Sequence, residues 1–104
     1  MTIQLNADKN LNIHEAFGDK LKDLLSKELS RFSEHITRLE IHLSDENGGK
    51  DGLNDKRCML EARLESKQPI AVIAEAHTYE QSVKAAIDKM KTSLDTIVGR
   101  LRKY

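Results

Sequence analysis

The sequence predicts an α+β fold in which two amphipathic helices pack on one face of a four-stranded sheet, in the order β-α-β-β-β-α. Two long segments carry apolar residues at steps of three and four, which is typical of helices with one apolar stripe. Four shorter segments alternate apolar and polar residues, which is typical of strands with one buried face. A chain of 104 residues has room for one core, so we expect residues 1–104 to form a single domain.

The first strand and the first helix are predicted from the N-terminal third of the chain. Residues 2–6 alternate in polarity and predict a short strand. Asn12 precedes Glu15 by three residues, the spacing of a capping box, so the helix is expected to begin there or at His14. The apolar stripe runs to an end expected at residues 30–33. It consists of Phe17, Leu21, Leu24, Leu25, Leu29 and Phe32.

Three further strands and a loop follow the first helix. Residues 39–44 and 57–65 alternate in polarity, and residues 70–76 form the last predicted strand after a short turn. Between the first two of these, residues 45–55 are rich in Asn, Asp and Gly, which is typical of a hairpin loop. We therefore expect three consecutive strands, each with one apolar side.

The last helix gives the strongest periodic signal in the sequence. Thr78 and Gln81 have the spacing of a second capping box. Both helical stripes are best buried on the apolar face of the sheet, which leaves the other face to solvent or to a partner. The stripe of this helix consists of Val83, Ala86, Ile87, Met90, Leu94, Ile97, Val98 and Leu101.

Composition narrows the class of protein. Lys and Arg number 17 and Asp and Glu number 17, which argues against a general nucleic-acid binder because phosphate affinity needs clustered positive charge. Residues 79–104, however, carry six basic and three acidic side chains. The single Cys58 excludes an internal disulfide and is expected in the core. With no signal peptide and no apolar run near ~20 residues, we expect a cytoplasmic protein with no membrane partner.

No catalytic, cofactor-binding or metal-binding constellation is predicted. His42 and His77 lie on strands that could be neighbours, but exposed histidines are favoured over a metal or acid–base pair because ligand spacing is missing. The run Asn47–Lys50 lies between two strands and not before a helix, so a hairpin turn is favoured over a phosphate-binding loop. We expect no enzyme, no cofactor and no metal.

Basic residues off the apolar stripes are the remaining candidates for a binding site. On the first helix Lys20 and Lys27 share a face, and Arg31 extends it by one turn. With the last helix alongside, these could line one surface for an RNA backbone. The alternative is a solvated face with ion pairs, because acidic residues are interspersed. The candidates on the last helix are Lys84, Lys89, Lys91, Arg100, Arg102 and Lys103.

Several segments resemble one family across nearly the whole chain. Leu11–Phe17 is similar to an apolar-x-Ile-Thr-Glu-Ala-Leu helix start, and Phe32–Ile36 to a Phe-Asp-x-Ile helix exit. Ile87–Met90 with Leu94 resembles an Ile-Asp-Lys-Leu-x-x-Gln-Leu segment of the last helix. These are motifs of the ribosome hibernation promoting factor family, also called ribosome-associated inhibitor A or protein Y. A departure is Thr96–Gly99, where the family usually has a Lys-x-Lys-rich stretch.

The resemblance implies a function without chemistry. Members of the family bind ribosomal RNA of the small subunit in the decoding channel and block messenger and transfer RNA by occupancy. The resemblance is to the short forms, since no C-terminal dimerisation domain follows in this chain, and no DNA partner is expected. The alternative is a module of the same fold that binds a protein through the open sheet face, where Met59, Ala71 and Ile73 interrupt a polar surface.

Overall fold

The fold is seen in a computed structural model that describes residues 1–8, 13–45, 55–65 and 67–101, with residues 100 and 101 described by their backbone alone. The predicted order β-α-β-β-β-α is confirmed. No helix in these ranges is long and apolar enough to cross a membrane. The elements are β1 (Thr2–Ala7), α1 (Glu15–Glu28), a short 3-10 turn (Ser30–Phe32), β2 (Ile36–Asp45), β3 (Lys56–Leu64), β4 (Ile70–Ala76) and α2 (Tyr79–Leu101).

The four strands form one mixed sheet in the order β1-β2-β3-β4. β1 pairs in parallel with β2, and the other two pairings are antiparallel. A parallel pairing of consecutive strands needs a crossover connection, and α1 provides it. Alternate residues of each strand therefore point to the same face, and the helices cover the apolar one.

The core lies between this covered face and the two helices. Leu39, Ile41 and Leu60 of the sheet are 0% exposed, as are Leu21 and Leu25 of α1, and most of the α2 stripe is buried as well. Cys58 is fully buried among them, and burial raises the pKa of its thiol to about 12. It is a core thiol, as predicted. From the helices the core receives Leu21, Leu25, Val83, Ala86, Ile87, Met90 and Leu94.

The start of each helix can be compared with its predicted cap. The N-cap residue of α1 is His14, which makes no side-chain cap bond, while Asn12 lies outside the described residues. At α2, Thr78 acts as predicted: its Oγ1 accepts a hydrogen bond from the backbone N–H of Gln81 at 3.1 Å. The helix-start signal was thus correct in both places, but a side-chain cap is present only at α2.

The end of α1 comes earlier than predicted. The helix stops at Glu28 because Leu29 leaves the helical region of backbone conformation, with φ −107° and ψ 14°. The 3-10 turn that follows keeps Phe32 on the core side, where it is 2% exposed. The apolar spacing therefore continues beyond the helix, and this is why the sequence predicted an end at residues 30–33.

Strand bounds agree with prediction to within a few residues. β4 spans Ile70–Ala76 as predicted, and β3 is shifted by one residue. β2 begins three residues earlier than predicted, at Ile36, where a register shift occurs against β3. The predicted loop falls mainly on residues 46–54, which lie outside the described residues together with the run Asn47–Lys50.

Replacing Leu25 by Ala tests the position of the core. Leu25 is 0% exposed between α1 and the sheet, so Leu25→Ala should lower the free energy of unfolding by about 2–5 kcal/mol. Urea unfolding followed by circular dichroism measures the change. Ile73→Ala is the control, since Ile73 is 39% exposed on the open face and should cost less than about 1 kcal/mol. Equal losses in the two variants would contradict the assignment of the core.

Candidate functional site

The two helices lie side by side and run in the same direction across the sheet. Three ion pairs join them, and residue numbers increase together along both helices. We call this line of paired side chains the helix seam. It consists of Lys20 and Glu28 from α1, of Arg31 from the 3-10 turn that follows α1, and of Glu80, Lys91 and Asp95 from α2.

Each pair in the helix seam has short distances. Lys20 Nζ lies 2.6 Å from Glu80 Oε1, near the start of both helices. Lys91 Nζ lies 2.8 Å from Glu28 Oε1 in the middle. These pairs are well within the range of charge-assisted hydrogen bonds. Both are on the surface, where Lys20 is 64% exposed and Lys91 is 29% exposed.

The third pair, Arg31 with Asp95, has more contacts than the other two. Arg31 Nη1 and Nη2 lie 2.8 Å and 3.0 Å from the two carboxylate oxygens of Asp95, which is a bidentate contact. The same guanidinium stacks over the Phe32 ring, 4.3 Å from its centroid. Although Arg31 is 59% exposed, its position is therefore fixed from two sides.

Two carboxylates of the helix seam, Glu28 and Glu80, are ionised at neutral pH. The hydrogen bond from Lys91 holds the pKa of Glu28 below its ordinary value near 4.5, and the charge of Lys91 adds to this. The hydrogen bond from Lys20 lowers the pKa of Glu80 in the same way. Each basic group of these pairs therefore faces a full negative charge.

Signs alternate along the helix seam. α1 and the 3-10 turn after it supply a positive, a negative and a positive side chain, and α2 supplies the opposite charges. Lys84 adds a further contact, with its Nζ 4.0 Å from Glu80 Oε2. It also lines a shallow groove between the helices of about 300 Å³, together with Leu24, Glu28, Ile87 and Asp88. The ion-paired face that the sequence left open as an alternative is thus present.

Two of the other predicted basic residues, Lys27 and Lys89, take no part in the ion pairs of the helix seam. Lys27 is exposed on α1 and forms no ion pair within the described residues. Lys89 points elsewhere, since its Nζ donates a hydrogen bond of 2.6 Å to the carbonyl oxygen of Ile73 on the edge strand β4. Arg100 is described only by its backbone in α2, and residues 102–103 lie outside the described residues. The seam thus includes only part of the predicted set.

The open sheet face carries like charges opposite one another across β2 and β3. Arg38 lies opposite Arg63, and Glu40 lies opposite Glu61. Each arginine pairs with a glutamate of its own strand, at 3.2 Å for Arg38 and 3.7 Å for Arg63. Beyond this ion-paired patch is an apolar pair, Met59 opposite Ile73. The predicted apolar interruption of this face is therefore present.

The possibility that His42 and His77 lie on neighbouring strands is excluded by the strand order. β3 lies between β2 and β4, so His42 on β2 and His77 after β4 are not on neighbouring strands. The nearest polar partner of His42 Nδ1 is Asn6 Nδ2, at 3.5 Å. Within the residues that the structure describes, no group of three or more His, Cys, Asp or Glu side chains is placed to bind a metal.

One charged cluster was not predicted. Lys56 Nζ lies 2.9 Å from Asp45 and 3.4 Å from Asp55, at the ends of the two strands that flank residues 46–54. The hydrogen bond to Asp45 raises the pKa of Lys56. The ammonium group also lies 5.9 Å from the ring centroid of Tyr79, at the start of α2. The cluster ties the sheet to that helix, and the acidic residues at both ends of the loop were its only sequence signal.

Comparison with known proteins identifies the family. The family model for "Sigma 54 modulation protein / S30EA ribosomal protein" matches residues 8–102, and the chain belongs to this family. The resemblance to the ribosome hibernation factors is thereby confirmed, and the family is one of ribosome-associated proteins, not of enzymes. No curated protein sequence is a significant match.

Two solved structures share the fold. The Protein Y N-terminal domain from Thermus thermophilus superposes with a TM-score of 0.72 at 20% identity, covering 93% of this chain and 99% of that one. A ribosomal subunit interface protein from Coxiella burnetii gives a TM-score of 0.74 at 20% identity, covering 95% of this chain and 99% of that one. At 20% identity, these two likenesses show a shared fold.

Lowering the pH should remove the stabilisation that Glu28 and Glu80 provide. Their pKa values are lower in the folded chain than in the unfolded chain. The contribution is therefore complete above the ordinary value near 4.5 and is lost as the pH falls through the folded pKa. Lys91→Met removes the partner of Glu28, so its urea midpoint should fall less than that of wild type between about pH 7 and about pH 3.

The control for this measurement is Lys67→Met. Lys67 is exposed between β3 and β4 and forms no ion pair within the described residues, so its loss removes the same charge without a seam partner. This variant should keep the pH dependence of wild type. If Lys91→Met lost as much stability on acidification as Lys67→Met, the stabilising role of the Glu28 pair would be disproved.

Proposed function

We propose that this chain binds ribosomal RNA of the small ribosomal subunit in the decoding channel and inhibits translation there by occupancy. It acts in the cytoplasm, without chemistry, by excluding messenger and transfer RNA. The observation that carries the proposal is the family match over residues 8–102. A rigid body is what this mechanism requires, because RNA helices and junctions are recognised largely by shape.

The outer side of the two helices is the proposed contact surface. Lys20 and Lys27 on α1 and Arg31 in the 3-10 turn lie at or beside the helix seam, and Lys84 and Lys91 face them from α2. Phosphate contacts position a protein on RNA, and lysine and arginine are the side chains that make most of them. Both helices rest on a fully buried core, so these groups are presented at fixed spacings. Lys89, Arg100, Arg102 and Lys103 remain candidates for phosphate contacts because of their positive charge.

A protein partner on the open sheet face is the second candidate. It is favoured by the exposure of Ile73, which is 39%, directly opposite Met59. The neighbouring ion pairs of Arg38 and Arg63 would then form a polar rim around this apolar pair. The two candidates use opposite faces of the sheet, so substitutions separate them.

Co-sedimentation and competition on purified small subunits test the proposed function. The chain should sediment with subunits at low salt and dissociate as salt is raised, because released counterions drive phosphate binding. Prior binding of the chain should reduce the binding of messenger and transfer RNA to the same subunits. Full binding of transfer RNA to subunits saturated with the chain would rule out occupancy of the decoding channel.

Two double variants assign the contact face. Lys27→Gln/Lys84→Gln removes two positive charges from the helical face, and Arg38→Gln/Arg63→Gln removes two from the open face. The first should weaken subunit binding and make the slope of log K against log salt shallower by about 1 to 2. The second should leave both quantities near wild type. The reverse result would assign binding to the open sheet face and favour the second candidate.

A further inference from the structure

We propose that Glu28, Glu80 and Asp95 compete with RNA phosphates for the basic side chains of the helix seam, and so limit the affinity of this surface for RNA. The inference rests on the proposed function and adds residues that oppose binding. Its basis is that Lys20, Lys91 and Arg31 each already contact one of these carboxylates at 2.6 to 2.8 Å.

The two kinds of acceptor are chemically equivalent for these donors. Carboxylate and phosphate both accept charge-assisted hydrogen bonds from ammonium and guanidinium groups, and arginine binds either in bidentate fashion. Arg31 already uses two nitrogens on Asp95. A phosphate that binds these donors must displace the carboxylate or share the donors with it. Each new contact therefore replaces or weakens an existing one.

Exposure makes this exchange physically accessible. Lys20 and Arg31 are 64% and 59% exposed, and their partners Glu80 and Asp95 are 36% and 52% exposed. A phosphate can therefore reach the basic groups without opening the core. Surface ion pairs contribute little to stability because both partners remain hydrated. Replacing a seam carboxylate by its amide should consequently free the basic group and leave the fold intact.

The effect of an amide substitution on RNA affinity should depend on the position of the carboxylate, and not only on the loss of its charge. Asp19 and Asp23 are exposed on α1, and Glu34 is exposed in the turn after the 3-10 segment. None of these three forms an ion pair in the described part of the chain. Their amides change the net charge by the same amount as the seam amides do, so they are matched controls.

The test compares E28Q/E80Q/D95N with D19N/D23N/E34Q and wild type on purified small subunits. Equilibrium binding is measured between about 50 and 200 mM KCl, and circular dichroism confirms that each variant is folded. The seam variant should bind about tenfold or more tightly than the control variant at the low-salt end, with a slope of log K against log salt steeper by about 2 to 3. The control variant should keep the slope of wild type to within about 1.

Each result supports or overturns the inference. Competition is supported if the seam variant binds more tightly than the control variant and has the steeper slope of log K against log salt. This holds even if wild type itself does not bind. If wild type binds and the two variants are equal to each other, competition is overturned and the proposed function stands. If no form binds at low salt, both are overturned.

Discussion

One-sided burial is the constraint on which the rest of this structure depends. The covered face of the sheet carries side chains such as Leu39, Ile41 and Leu60 that are 0% exposed, and apolar area of this kind is stable only when another element removes it from water. β1 and β4 are the two edges of the sheet, and α2 packs on β3 and β4. α1 packs on the β1 side. Two helices side by side therefore cover the face, and the second face stays open.

The helix seam is a consequence of this packing. Two parallel helices that share one sheet face bring their facing sides close together, so the side chains just above the core must lie next to each other. In this chain those side chains are charged, and they have opposite signs at each of three levels. The charges are thus neutralised in place, over distances much shorter than the ~8–10 Å screening length of physiological salt. Positive and negative side chains are equal in number in the helix seam, as they are in the whole chain.

The helices and strands could be predicted from the sequence because one-sided burial leaves a periodic pattern of apolar residues. α2 and β4 were predicted well since each has a single apolar side throughout its length. The end of α1 was missed for the same reason, because the 3-10 turn keeps Phe32 on the apolar side without continuing the helix. Whether the strands of His42 and His77 are neighbours stayed open in the sequence, because the pattern within a strand does not determine the order of strands in the sheet.

The candidate site was predictable in its residue types but not in its pairing. The helical spacing correctly placed Lys20, Arg31 and Lys91 away from the apolar stripes. Their partners are not close in sequence, since Lys91 bonds Glu28 across 63 residues and Arg31 bonds Asp95 across 64. Such pairs depend on how far one helix is displaced along the other, which packing in three dimensions determines. Side-chain spacing within one helix carries no information about that displacement.

A surface of paired charges has a different selectivity from a surface of free positive charges. A single phosphate at the helix seam gains one ion pair and displaces another, so little net attraction remains. Several phosphates that reach the seam together can replace all three carboxylates at once, and the ring of Phe32 holds the guanidinium of Arg31 in place before and after this exchange. Side chains that are fixed before binding lose less entropy on binding. Within the proposed function, this surface should therefore favour densely folded RNA, whose phosphates are at fixed spacings, over a flexible single strand.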